Sequence, residues 1–247
     1  MHPPGPAVVR VRPNILVTGT PGTGKTTLAA SLTAALGPPY IHKNISHLVA
    51  AHAWHVGYDA KWLSYILDED ALLDALEPDM QPGAIVVDYH GCDFFPERWF
   101  DLVVVLRTTT AVLYDRLAER QYPKHKIDEN VTSEIMNVVH DEALEAYKRD
   151  VVLVLDSNSR ADLAANVATV KDHVARYVPR CVPAAPPAPR WEEELEDSDQ
   201  DVPANGGVVT WPGPVAAHPK RDDDDDHDDG DGDGCVDHGV GAKRKRA

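Results

Sequence analysis

Gly19-Thr20-Pro21-Gly22-Thr23-Gly24-Lys25-Thr26 matches Gly-x-x-x-x-Gly-Lys-[Ser/Thr] at every position. The motif needs a strand before it and a helix after it. Both are present: Asn14-Ile15-Leu16-Val17-Thr18 is a β-branched run, and 26–36 repeats leucine every four residues at Leu28, Leu32 and Leu36. Gly22 and Gly24 let successive backbone N–H groups turn towards one phosphate, and the helix N-terminus adds favourable partial charge. Lys25 supplies a cation for the β- and γ-phosphates, and the Thr26 hydroxyl is a ligand for Mg²⁺. The octapeptide reads as a site for a nucleoside triphosphate.

Working outward, four further apolar runs follow at 39–42, 84–88, 102–106 and 151–155. Three of the four are nearly continuous in Val, Ile and Leu, as strands buried on both faces of a parallel sheet are. Helical patterns lie between and after them at 69–76, 110–120, 130–147 and 161–178. The alternation predicts an α/β fold, five parallel strands sandwiched by helices over 14–180. Residues 1–13 read as an N-terminal arm.

Asp88 closes an apolar strand, where a phosphate loop's acidic partner is expected to hold Mg²⁺ directly or through water. An aspartate that merely opens a turn is the plain alternative. His90, two residues on, either orients a water near the γ-phosphate or is an ordinary turn histidine. Arg116 and Arg120 are four apart and share a helix face. Such a pair either clamps transferring phosphates or stays solvated. The polar segment 121–129 has the length of a lid.

The chain has 247 residues, 24 Lys and Arg against 40 Asp and Glu, and a formal charge of −16. Residues 1–180 hold 23 acidic and 17 basic groups; 181–247 hold 17 and 7. The last 67 residues contain only 1 Leu and 7 Val, with no Ile or Phe. That composition predicts a disordered acidic tail instead of a second domain. Its Asp229-Gly230-Asp231-Gly232-Asp233-Gly234 copies half an EF-hand loop, but Val240 stands where the bidentate Glu is needed. The tail ends in Lys243-Arg244-Lys245-Arg246, a pattern of nuclear import. No apolar run is long enough to span a bilayer. Cys92, Cys181 and Cys235 are too scattered for a zinc site or a disulfide framework. The net negative body argues against broad nucleic-acid binding, which needs clustered cations.

Thr18–Thr27, Gly57-Tyr58-Asp59, Leu67-Asp68-Glu69-Asp70 and Leu106-Arg107-Thr108 resemble one family, adenylate kinase isoenzyme 6. So does Asp88-Tyr89-His90-Gly91-Cys92-Asp93-Phe94-Phe95-Pro96-Glu97-Arg98-Trp99, its most specific segment. The spacings of Leu113, Tyr114, Arg116, Leu117, Arg120 and Tyr122, and of Glu142, Ala143 and Tyr147, extend the likeness to about 14–178. The resemblance implies a nuclear and secondarily cytoplasmic adenylate kinase and ATPase of small ribosomal subunit assembly, bound to a small-subunit ribosomal protein and the pre-40S particle. It implies that Gly22, Gly24, Lys25, Thr26, Thr27 and Arg120 hold ATP and that Asp88 and His90 serve its turnover. A monophosphate-binding side near 44–67 and a lid near 119–129 follow from it too.

Two departures stand out. Where the family carries a basic residue for the AMP phosphate, this chain has Ala50, and His47 replaces the preceding acid. Lys43, His47, His52 and Lys61 are the nearby candidates to replace it. Losing one charge-assisted contact costs about 1.5–3 kcal/mol, which favours ATPase or assembly-switch function over efficient AMP phosphorylation. The usual glycine after the lid arginine is Gln121, expected to stiffen the lid.

Overall fold

The computed structural model describes residues 7–61 and 64–183. The expectations placed on 184–247 (acidic tail, half EF-hand loop, basic tetrad) lie outside the described residues. The order is β1 (Ala7–Arg10), β2 (Ile15–Thr18), α1 (Lys25–Leu36), β3 (Ile41–Asn44), α2 (Ile45–Ala51), β4 (His55–Asp59), β5 (Ser64–Leu67) and α3 (Glu69–Met80). Then come β6 (Ile85–Asp88), a 3₁₀ turn (Glu97–Trp99), β7 (Leu102–Arg107), α4 (Thr110–Glu119), α5 (Lys124–Ile135), α6 (Val138–Ala146), β8 (Val152–Asp156), α7 (Arg160–Ala175) and β9 (Arg180–Pro183).

Five strands form one sheet in the order β3-β6-β2-β7-β8, and every pairing is parallel. The period of two sorts the strand residues onto its faces. Ile15, Val17, Val86, Val104 and Leu106 pack with Leu28, Ala29 and Leu32 of α1 and Val170 of α7. Leu16, Val87, Val103 and Val105 pack on the other face with Leu72, Leu76 and Met80 of α3, Ala143 of α6 and the aromatic segment. Strand order reverses at β2: β6 and β3 lie to one side, β7 and β8 to the other. The carboxyl end of β2 is therefore the crevice where such sheets take ligands.

The loop after β6 is part of the core. Phe95, Trp99 and Phe100 are buried there, with Phe95 and Phe100 edge to face at 5.6 Å. Tyr147 Oη donates to the Cys92 carbonyl at 2.7 Å, and Trp99 Nε1 donates to Glu77 at 2.7 Å. This anchoring fixes the chain after His90, while the pairing of β6 with β2 and β3 fixes it before.

Several elements differ from the sequence expectation. The segment 44–67 contains α2 and the antiparallel β4–β5 hairpin. The helix expected over 130–147 is two helices, broken at Asn137, whose left-handed φ of 59° asparagine tolerates better than most residues. The segment 119–129 read as a lid is helical from Lys124, where α5 begins directly after Pro123. At the ends, β1 pairs antiparallel with β9. Asp101, almost fully buried, accepts from Arg10, Arg180, Asn14 N and Tyr177 Oη. The folded body therefore runs into both the arm 1–13 and the stretch beyond 180.

Candidate functional site

The phosphate loop joins β2 to α1 at the carboxyl edge of the sheet. Gly22 has a left-handed φ of 101°, and a Cβ there would meet Leu113 Cδ1 at 2.7 Å. Only glycine combines that backbone with that contact. Gly24, also left-handed, is the N-cap of α1; no side chain caps this helix, and its first turn holds no acid. Its free N–H groups and positive dipole end are open to an anion.

Lys25 opens α1, and its Nζ donates to the carbonyls of Gly19 (2.8 Å) and Thr20 (3.1 Å), curling back over the loop. Burial lowers its pKa to about 8; Arg120 adds to the lowering, while Asp88 and Glu134 oppose it. Thr26 and Thr27 are exposed on the first turn of α1. Asp88 ends β6, 2% exposed. The side chain of Asn44 joins Asp88 to Thr26: its Nδ2 donates to Asp88 Oδ2 at 2.7 Å and to Thr26 Oγ1 at 3.3 Å. The β3–β6 register, with Asn44 opposite Asp88, makes this possible. His42 Nε2, a buried atom that makes no hydrogen bond, lies 3.5 Å from Asp88 Oδ2.

His90 sits past the strand end, its ring 4.3 Å from that of Tyr89. Burial, then the charges of Lys25 and Lys126, lower its pKa to about 4, with Asp88 opposing. The residue keeps exposure to solvent, and its imidazole is neutral at pH 7.

The two arginines have separate fates. Arg116 turns under the loop and donates to the carbonyls of Gly22 (3.3 Å), Ser157 (2.8 Å) and Asn158 (3.2 Å). It holds the loop's underside. Arg120 is the exposed C-cap of α4 and makes no side-chain hydrogen bond or ion pair among the described residues. It is the arginine available to a ligand.

Three partners went unrecognised in the sequence. Asn44 and His42 carried no motif, because their role comes from strand pairing. Glu134, buried on α5, accepts from Thr20 and Arg107; a lone acid in a polar helix normally reads as a solvated one. Lys126, in the segment read as a lid, stands 4.6 Å over the Tyr122 ring. Across the cleft, His125 Nε2 meets the Lys61 carbonyl at 2.9 Å, joining α5 to the hairpin side.

Thr26 and Asp88 offer hard oxygen donors tied through one asparagine, a set suited to Mg²⁺ that also keeps phosphate and water ligands. Among the described residues no group of three His, Cys, Asp or Glu could hold a metal. No described helix is long and apolar enough to cross a membrane.

An AAA domain family matches residues 15–137. The adenylate kinase isoenzyme 6 homologue of Dictyostelium discoideum is 49% identical over 155 residues, which is 63% of this chain and 87% of the relative. The Caenorhabditis elegans homologue is 47% identical over 160 residues, 64% of this chain and 87% of its own. That of Saccharomyces cerevisiae is 45% identical over 161 residues, 65% and 81%. With identity at that level across nearly the whole of each relative, this chain is a phosphotransferase and belongs to the adenylate kinase isoenzyme 6 family.

Proposed function

We propose that the protein transfers the γ-phosphoryl group of Mg-ATP to AMP, forming two ADP, and hydrolyses ATP more slowly. The observation that carries this reading is the joining of Thr26, Asn44 and Asp88 beside the uncapped N-terminus of α1, with Lys25 on the loop. In the reaction the bond between Pγ and the β–γ bridging oxygen breaks, and one forms between Pγ and an AMP phosphate oxygen. That oxygen is already ionised at neutral pH, so no base is needed. Positioning and charge neutralisation are sufficient.

The loop and the start of α1 hold the triphosphate through Gly22, Gly24, Lys25, Thr26 and Thr27. Arg120 approaches it from the end of α4. Mg²⁺ at Thr26 and Asp88 neutralises phosphate charge when bound. For hydrolysis, neutral His90 can hydrogen-bond a water. The α2–hairpin side, 44–67, faces the acceptor. Arg116 contributes through the loop's shape, its donors being engaged with carbonyls.

A second reading rests on one specific observation. Ala50 and His47 are exposed on α2, and Lys43 is held by Asp79 at 2.6 Å. The cation expected for the AMP phosphate is absent there, and the nearest lysine on β3 is engaged. This favours an assembly ATPase whose nucleotide state controls its grip on a small-subunit ribosomal protein within the pre-40S particle, with little AMP kinase activity. In either reading we place the protein in maturation of the small ribosomal subunit and its 18S rRNA, in the nucleus and secondarily in the cytoplasm. The Lys243–Arg246 tetrad supports import.

One assay separates the two: ADP formed from ATP plus AMP, set against phosphate released from ATP alone. The kinase reading expects AMP to raise ADP output well above hydrolysis. ADP output that AMP does not raise would leave the ATPase reading standing.

A further inference from the structure

Glu134 is the last-turn residue of α5, 114 positions from the phosphate loop it touches. Its side chain is 5% exposed, and both carboxylate oxygens are used. Oε2 accepts from Thr20 Oγ1 at 2.5 Å. Oε1 accepts from Arg107 Nε at 2.6 Å and from Thr108 N at 3.0 Å, and Arg107 Nη2 donates to the Glu134 carbonyl at 2.9 Å. A buried carboxylate is tolerated when both oxygens accept hydrogen bonds and a cation is paired with it, as here.

What this carboxylate grips bears on the reaction. Thr20 is the residue whose carbonyl accepts Lys25 Nζ and Thr23 Oγ1. Behind it, Gly19 lies so close to β7 that a Cβ would stand 2.6 Å from the Leu106 carbonyl. The loop is thus pressed on the end of β7, and Glu134 bonds both parts. Arg116 holds the same loop one turn further on, at Gly22. Through its own helix Glu134 also connects the loop to Lys126 and to His125, which meets the hairpin side.

We infer that Glu134 is a positioning residue for nucleotide binding: through Thr20 Oγ1 it sets the shape of the phosphate loop from the helix that also forms the lid side of the cleft. The inference rests on the loop being the ATP site, and its test reads ATP affinity directly, independently of AMP or any assembly role.

Thr20→Val keeps the side chain's volume and removes the donor; Thr20→Ser keeps the donor. Equilibrium titration with a fluorescent ATP analogue, with a melting curve for each variant, gives the comparison. Thr20→Val is expected to weaken binding about tenfold, and Thr20→Ser to restore most of it. Adding Thr20→Val to Glu134→Ala should weaken binding no further. If Glu134→Ala fails to fold, the Thr20 pair still decides. Unchanged ATP affinity in Thr20→Val, even with a lowered melting temperature, overturns the inference and leaves Glu134 a structural staple. Failure of wild-type protein to bind ATP would instead contradict the proposed function.

Discussion

Lys25 is poised between two charge states. Burial takes its pKa down to about 8, so near that pH the free site is only part protonated. Bound phosphates favour the ammonium and raise the pKa again. ATP binding at pH 8 should therefore take up to about half a proton from solution. Affinity should fall as pH rises from 7 to 9, because charging the lysine then costs more. Calorimetry in two buffers of different ionisation enthalpy measures the uptake; none at pH 8, with affinity flat to pH 9, would contradict the assignment. At this scale the sequence was legible where a residue's role is local. Lys25, Thr26 and Gly24 act within one turn of chain, and the motif names them. Asn44, His42 and Glu134 act across strand pairings and helix packings that no spacing records. The arginine pair shows the same divide. Arg116 and Arg120 share a helix face, but only the loop's position makes one a buttress and leaves the other to the cleft.

Gln121 governs how α4 ends. Its N–H donates to the Ala118 carbonyl and that of Tyr122 to Leu117, with Tyr122 packed against the cluster of Leu113, Leu117 and Ile127. This is a Schellman motif, whose left-handed position favours glycine. Gln121 occupies it at φ 57°. A non-glycine residue pays about 1–2 kcal/mol there, offset by glycine's greater chain entropy of about 0.5–1 kcal/mol. Gln121→Gly should raise the unfolding midpoint by about 1–3 °C; a fall would mean that the glutamine side chain makes a stabilising contact. Four of the five sheet strands, β2, β6, β7 and β8, were readable because continuous Val/Ile/Leu runs have few other uses, whereas β3 is Ile41-His42-Lys43-Asn44. The hairpin and α2 were not, since Ile45–Ala51 is short and leaves much of its surface exposed. The split at Asn137 was hidden because apolar spacing continues across it, and one left-handed residue leaves no periodic trace.

Taken whole, the charge of −16 hides a division between a body of modest charge and a strongly acidic last quarter. The boundary read from composition fell at 180, on the proline and alanine that follow. The structure draws it differently, because Arg180–Pro183 pairs with Ala7–Arg10 and Arg180 bonds the buried Asp101 at 2.5 Å. Composition missed this since a four-residue edge strand is too short to shift it. Deleting 184–247 should leave the unfolding midpoint within error. Deleting 180–247 removes the strand and the Arg180 pair and should cost about 1–3 kcal/mol. Equal midpoints for the two truncations would show that the terminal strands add nothing to the body. The proposed function requires the loop at residues 19–26 to be the site of phosphoryl chemistry. Its most direct test is the rate of ATP turnover by Lys25→Ala beside its circular dichroism spectrum. Turnover at background with an unchanged spectrum is the predicted result, and turnover retained in a folded variant would contradict it.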